Sequence, residues 1–130
     1  MTATPPDAPL ILVVDDVDDA RFMYSLYLTT HGFRVIEAAN GEDAVRLAHE
    51  HQPALVLMDL GLPKMDGWEA TRRIKADSRT RGVPVLAISG HAFADSVRRA
   101  KDAGVDAFFV KPCMPATVLA KINEMLGLSN

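Results

Sequence analysis

The chain has 130 residues, a hydrophobic share of 48% and a charged share of 24%, which are ordinary values for one soluble globular domain. A net charge of -3 and a pI of about 5.7 argue against direct nucleic acid binding, because no broad basic field can neutralise phosphates. The single cysteine, Cys113, excludes an intramolecular disulfide and favours a reducing, cytoplasmic location. No apolar run approaches the roughly 20 residues that span a bilayer, so no membrane insertion is expected.

The start of the chain predicts a short leader followed by a buried strand. Residues 1–9 contain three prolines and no apolar core of a signal peptide, which predicts a disordered leader before a domain at 10–127. Leu10–Val14 is a continuous apolar run, as expected for a strand covered on both faces of a parallel sheet. Two carboxylates, Asp15 and Asp16, follow the strand directly.

A helix and a second strand come next. Asp18 or Asp19 is predicted to cap the helix, and Gly32 is placed to end it. The apolar positions that recur at helical spacing, and so predict the helix, are Met23, Leu26, Tyr27 and Thr30. Phe33–Ala38 has the mixed composition of an edge strand, and Asn40 is predicted to cap a second helix.

The third predicted strand carries a single carboxylate at its end. Five apolar residues, Ala54–Met58, lead into Asp59, and Gly61–Gly67 then forms a loop rich in glycine. Trp68–Ala76 reads as the next helix. In an open α/β sheet, the end of such a strand is where binding and chemistry are usually located.

The rest of the chain repeats this alternation. Ser89 follows the fourth predicted strand and Lys111 follows the fifth. The remaining predicted strands and helices are Val83–Ile88, Phe93–Ala103, Asp106–Val110 and Pro115–Leu126. Five βα units predict an α/β fold with one doubly wound parallel sheet and helices on both faces.

The polar residues at these strand ends are expected to share one crevice. Asp15, Asp16 and Asp59 repel one another there unless a cation neutralises them, and all-oxygen ligation suits Mg²⁺ or Mn²⁺. The hydroxyl of Ser89 and the ammonium of Lys111 complete a receptor for a tetrahedral dianion. A carboxylate within this group can attack phosphorus and become an acyl phosphate.

The chain resembles the receiver (CheY-like) domain of two-component response regulators over about residues 10–126. The resemblance rests on Asp15-Asp16, on Asp59 in the run MDLGLPKMDG, on Ser89 thirty residues later, and on Lys111-Pro112 twenty-two residues after that. It implies a flavodoxin-like (βα)5 fold with strand order 2-1-3-4-5. It also implies a phosphorylation-dependent switch that accepts a phosphoryl group, can lose it by autodephosphorylation, and is not a turnover enzyme.

The resemblance assigns a role to each residue of the crevice. Asp59 is the phosphoacceptor and a metal ligand. Asp16 binds Mg²⁺ directly, Asp15 lies at or just behind the metal shell, and the backbone carbonyl of Gly61 supplies a further ligand. Lys111 pairs with the phosphoryl group, and its bond to Pro112 is expected to be cis.

The resemblance also implies how phosphorylation changes the surface. Ser89 moves toward the phosphoryl group, and Phe108, three residues before Lys111, is the switch aromatic that rotates inward. The output face spans about 93–126 and includes Arg98, Arg99 and Lys101. Two positions that tune the lifetime of the acyl phosphate in the family depart from its pattern. Here they are Gly61, which has no side chain, and His91, which carries an imidazole.

The implied partners are a sensor histidine kinase or histidine phosphotransfer protein and a downstream protein target, with the chain a monomer or weak dimer. A receiver excised from a hybrid kinase or a longer regulator would have the same sequence features. A phosphohydrolase of the haloacid dehalogenase type would need a second Asp two residues after Asp59, where Gly61 stands. A nucleotide-binding module would need a glycine-rich turn after the first strand, where this chain has the acidic run DDVDD at 15–19, which would repel phosphates without a metal.

Overall fold

The computed structural model describes residues 5–62, 65–90 and 94–128, and alternating strands and helices fill these ranges. The predicted helix start at Phe93 and the tuning position His91 lie outside the described residues. The elements in chain order are β1 (Leu10–Val14), α1 (Asp18–Thr30), β2 (Arg34–Ala38), α2 (Gly41–His51), β3 (Leu55–Asp59), α3 (Gly67–Ala76), β4 (Val85–Ser89), α4 (Ala94–Ala103), β5 (Ala107–Val110) and α5 (Pro115–Leu126).

The five strands form one parallel sheet in the order β2-β1-β3-β4-β5, which confirms the predicted fold class and strand order. β1, β3 and β4 occupy the centre, and their side chains are almost entirely buried. This explains their continuous apolar sequences, since a strand covered on both faces needs no polar side. β2 and β3 lie on opposite sides of β1, so the topological switch point lies beside the end of β1.

Two apolar layers hold the helices on the sheet. One layer joins α2, α3 and α4 to the face that carries Leu12, Val56 and Met58, and Phe108 packs against it. The other joins α1 and α5 to the opposite face, with Phe109 as the aromatic of β5. Phe108 and Phe109 thus point to opposite faces, as neighbours on a strand must.

The helix predicted from the spacing of Met23, Leu26, Tyr27 and Thr30 is present as α1, but the sheet covers a different face of it. The buried residues of α1 are Tyr24, Ser25 and Leu28, whereas Met23 and Leu26 are 37% and 56% exposed. The helix has two apolar faces, and spacing alone does not tell which one the sheet covers. The face turned to solvent is therefore an apolar surface that the fold itself does not use.

The predicted cap of α1 is wrong. Val17 occupies the N-cap position and makes no side-chain capping bond, and Asp18 and Asp19 lie in the first turn instead. The amide of Val17 donates to Asp15 Oδ1 at 2.9 Å, so a carboxylate from β1 satisfies a donor at the helix start. In α2 and α3, by contrast, Asn40 and Asp66 cap with their side chains, at 2.8 and 2.9 Å.

The segment before β1 lies against the sheet edge where the structure describes it. Ala8 is 7% exposed, its amide donates to the carbonyl of Pro5, and its own carbonyl accepts from Arg34 Nε at 2.7 Å. The domain boundary predicted at Leu10 stays a prediction. Among the described residues, no helix is long and apolar enough to cross a bilayer.

Candidate functional site

The carboxyl ends of β1, β3, β4 and β5 meet at one edge of the sheet, as the strand order requires. Asp15 follows β1 directly, while Asp59 and Ser89 are the last residues of β3 and β4. The amide of Lys111 donates to the carbonyl of Ser89 at 2.8 Å, which fixes the end of β5 beside the end of β4. Backbone pairing, and not a long loop, therefore brings these four side chains to the same place.

Three carboxylates lie close enough to share one cation. Among the described residues, Asp15, Asp16 and Asp59 each offer an oxygen, and these oxygens lie within 4.8 Å of one another. Asp15 and Asp59 are 2% and 8% exposed, whereas Asp16 is open to solvent. Hard carboxylate oxygens on a half-open site fit Mg²⁺, which retains several of its waters.

Lys111 bridges the two buried carboxylates. Its Nζ lies 3.3 Å from Asp15 Oδ2 and 3.4 Å from Asp59 Oδ2. Burial by itself lowers the pKa of Lys111, but the charges of Asp59 and Asp15 outweigh it and the pKa is raised. Lys111 is therefore held as an ammonium between the two carboxylates.

The surroundings of Asp59 disfavour the charged form of its carboxylate. Burial raises its pKa above the usual value of 3.8, and the charge of Asp15 acts in the same direction. The amide of Gly61, which donates to Asp59 Oδ1 at 3.0 Å, and the ammonium of Lys111 oppose this effect without cancelling it. A buried anion that is incompletely compensated is a good nucleophile and a good metal ligand.

The chain after Asp59 is packed tightly onto β3. The amide of Gly67 donates to the carbonyl of Leu60 at 3.2 Å. A Cβ atom at Gly67 would lie 2.5 Å from the carbonyl oxygen of Asp59, so the start of α3 needs glycine there. Among the described residues, a Cβ at Gly61 would meet only Asp59 Oδ1, at 3.6 Å.

The structure brings together every residue that the sequence assigns to the crevice, but their individual roles stay predictions. The bond between Lys111 and Pro112 is cis, as expected from the resemblance. Ser89 is 1% exposed, at the same edge as Asp59 and Lys111. Phe108 packs with the layer that contains α4, which suits the predicted switch position.

Two residues near the crevice were missed by sequence reasoning. Arg21 of α1 reaches back to the backbone of Asp15, and Tyr24 is buried with its hydroxyl 3.7 Å from Cys113 Sγ. Burial raises the pKa of Tyr24, so the phenol stays protonated at neutral pH. An arginine one turn after two acidic residues, Asp18 and Asp19, was the available signal for Arg21.

The doubly wound parallel sheet thus carries three carboxylates and a lysine at its switch point, an acidic site with the oxygen donors that a divalent cation uses. The family model described as response regulator receiver domain matches residues 11–123. The chain therefore belongs to the response regulator receiver family, whose members are signalling switches.

Named relatives and solved structures agree with this assignment. Protein PilH of Pseudomonas aeruginosa is 34% identical over 117 residues, which are 90% of this chain and 97% of PilH. The transcriptional regulatory protein AfsQ1 of Streptomyces coelicolor is 35% identical, but the match covers only 51% of its length. The receiver domain of sensor histidine kinase PA1611 from Pseudomonas aeruginosa, solved with a magnesium ion coordinated in its active-site cleft, is 31% identical with a TM-score of 0.86. The match covers 92% of this chain and 98% of that receiver domain.

Proposed function

We propose that this protein accepts a phosphoryl group on Asp59 from a phosphohistidine and relays the signal by protein contact. The observation that carries the proposal is the buried Asp59, whose pKa is raised and whose carboxylate lies beside a lysine and two further carboxylates. Asp16, Asp59 and the carbonyl of Gly61 are the proposed Mg²⁺ ligands, with Asp15 at or behind the shell. Bound Mg²⁺ would neutralise negative charge on the phosphoryl oxygens.

The chain's own residues supply the remaining chemistry. An oxygen of Asp59 attacks phosphorus, the O–P bond forms, and the P–N bond of the phosphohistidine breaks with its electron pair returning to the imidazole. Lys111 neutralises phosphoryl oxygens, and the hydroxyl of Ser89 donates to one of them after transfer. This division of labour suits phosphoryl transfer, which depends mainly on positioning and charge neutralisation.

The test of this function is transfer from a small phosphodonor. Incubation with acetyl phosphate and Mg²⁺ should add one phosphoryl group per chain, as read by intact mass. The label should be released by hydroxylamine, as an acyl phosphate requires, and peptide mapping after reductive trapping should locate it at Asp59. Removing the cation with EDTA should prevent labelling. Steady release of phosphate from a phosphomonoester would instead indicate a hydrolase.

The exposed face of α1 is the proposed docking surface for the phosphohistidine protein. Phe22 is 64% exposed and lies one turn before Leu26 on this face. A groove of about 490 Å³ runs along it to Pro115. Met23 also lines a second cleft together with Lys111, whose ammonium lies 3.4 Å from Asp59, so the apolar face adjoins the crevice. A donor bound there would bring its imidazole to Asp59.

Polar substitution on this face should slow transfer from a protein donor only. Phe22→Ser is expected to lower the transfer rate from phosphorylated histidine phosphotransfer proteins about tenfold, because one buried aromatic anchor at an interface contributes 1–2 kcal/mol or more. Labelling by acetyl phosphate should stay unchanged. Leu128→Ser, which alters an apolar side chain that is 41% exposed beyond α5, is the control. Equal losses in the two variants would contradict docking at α1.

The partner that receives the signal is proposed to bind the surface formed by α4, β5 and α5. Arg98, Arg99 and Lys101 give the described part of α4 an exposed basic side. Arg99 lies 4.1 Å from the ring of Trp68 and 3.8 Å from Asp66, so this face is linked to the start of α3 behind Asp59. We propose that the protein acts in the cytoplasm as a monomer or weak dimer.

A further inference from the structure

Arg21 makes three side-chain bonds, and one of them reaches the backbone of the metal site. Its Nη1 donates to the carbonyl oxygen of Asp15 at 2.8 Å. Its Nε donates to Glu37 at 3.0 Å, and its Nη2 donates to Asp18 at 2.6 Å. The side chain is only 17% exposed, so the guanidinium is held inside this set of acceptors.

The carbonyl that Arg21 binds belongs to the peptide between Asp15 and Asp16. Strand pairing between β1 and β2 ends with the amide of Asp15, which donates to the carbonyl of Ala38 at 3.1 Å. Beyond that point, the bond from Arg21 takes over from the sheet and fixes the plane of the peptide. The orientation of this plane sets the direction in which the exposed side chain of Asp16 leaves the backbone.

We infer that Arg21 is a positioning residue for the divalent-cation site, acting through the peptide between Asp15 and Asp16. This inference rests on the proposed function, because it concerns the same site. Arg21 touches neither the cation nor the phosphoryl group. Its rigid planar fork donates from three separate nitrogens in fixed directions, whereas the donors of a lysine all radiate from one nitrogen and cannot span the same set of acceptors. Partners that orient ligands in this way typically contribute 10–100-fold to metal affinity.

The sign of the effect separates positioning from simple electrostatics. Removing a positive charge beside a cation site should by itself strengthen binding, because Asp18 and Glu37 are then no longer neutralised. Loss of positioning should weaken binding instead. The two explanations of Arg21 therefore predict opposite changes in the dissociation constant for Mg²⁺.

The experiment is calorimetric titration of the native protein, Arg21→Gln and Arg21→Lys with MgCl₂. Both variants should show a dissociation constant about tenfold higher than the native protein. Arg46→Gln is the matched control, since Arg46 also pairs with two carboxylates, Asp43 and Glu50, at 3.4 and 3.5 Å but belongs to α2. It should bind Mg²⁺ as the native protein does or slightly more tightly.

A second readout distinguishes positioning from general loosening of the fold. Mg²⁺ demands near-ideal octahedral geometry, whereas Ca²⁺ tolerates irregular ligand sets. Arg21→Lys should therefore weaken Mg²⁺ binding several-fold more than Ca²⁺ binding, with titrations run well below its thermal midpoint. Equal losses for the two cations, or Mg²⁺ binding as tight as native in both Arg21 variants, would overturn the inference. A native protein that binds Mg²⁺ but takes no phosphoryl group would overturn the proposed function and leave the role of Arg21 intact.

Discussion

Replacing Asp59 by asparagine is expected to abolish phosphoryl acceptance and, at the same time, to stabilise the protein at neutral pH. The loss follows because the amide of asparagine is not a nucleophile toward phosphorus, and neither Asp15 nor Asp16 replaces the Oδ atoms of Asp59. Labelling by acetyl phosphate should fall to background, with no hydroxylamine-sensitive phosphate. A variant that is labelled like the native protein would refute Asp59 as the acceptor.

The gain in stability follows from the pKa of Asp59. This pKa is raised in the folded protein, mainly by burial, above the 3.8 of an ordinary aspartate. As pH rises, the unfolded chain therefore loses its proton first, and the folded state becomes less stable relative to it. The penalty is complete above the raised pKa and absent well below 3.8. Asparagine removes the penalty, so its advantage should exist at pH 7 and vanish in acid.

Thermal unfolding at two pH values measures this effect. At pH 7 without divalent cations, Asp59→Asn should raise the melting temperature by about 4 °C, which corresponds to roughly 1 kcal/mol for a domain of this size. At pH 3 the two proteins should melt together. Asp102→Asn, which removes the same charge from an exposed position of α4, should change neither value by more than about 1 °C. A lower melting temperature for Asp59→Asn at pH 7 would contradict an uncompensated Asp59.

The sequence predicts the fold and the crevice well because both depend on strand order. Continuous apolar runs identify buried strands, and polar residues that follow them must gather at one edge of a parallel sheet. Asp15, Asp59 and Lys111 could therefore be placed together without knowledge of any contact between them. Their bridging arrangement, with Lys111 Nζ at 3.3 and 3.4 Å from the two carboxylates, could not be predicted, because the strand ends determine which residues are neighbours but not which rotamers their side chains adopt.

Helix α1 shows where periodicity is insufficient. Met23 and Leu26 follow a perfect helical spacing, yet the sheet covers Tyr24 and Leu28 instead. A helix with two apolar faces can satisfy the core with either, and the choice depends on how the strand before it delivers the chain. The exposed apolar positions are informative, since they identify the surface that we propose for docking. For Arg21, the spacing from Asp18 signals an ion pair, but the bond that ties Arg21 to the metal site goes to the backbone carbonyl of Asp15, which the sequence does not mark.

Replacing Lys111 by methionine should have the second large effect, and it should act in opposite directions on transfer and on metal binding. Methionine keeps much of the side-chain volume and removes the ammonium. The rate of labelling by acetyl phosphate should fall about 100-fold, the cost of losing one charge-stabilising donor in a transfer reaction. A rate within twofold of the native protein would show that Lys111 does not contact the phosphoryl group.

Mg²⁺ affinity should rise in Lys111→Met, because the ammonium and the cation compete for the oxygens of Asp15 and Asp59. Without Mg²⁺, the two carboxylates of the variant have no shared partner, so its free energy of unfolding should fall by about 1–2 kcal/mol. The cost is limited because the Lys111 side chain is 31% exposed and its interactions are partly screened by water. Saturating Mg²⁺ should restore the lost stability, since a ligand bound only by the folded state adds RT ln(1 + [L]/Kd).

Lys121→Met is the matched control for both measurements. Lys121 has a similar exposure, 30%, and pairs at 3.3 Å with the single exposed carboxylate of Glu124 on the same helix. It carries the same charge change far from the crevice, so it should alter neither labelling nor Mg²⁺ affinity. If Lys111→Met bound Mg²⁺ more weakly than the native protein, the lysine would have to orient the carboxylates and not compete for them. Comparison of the two variants therefore decides whether the ammonium of Lys111 occupies the carboxylate oxygens in competition with the cation.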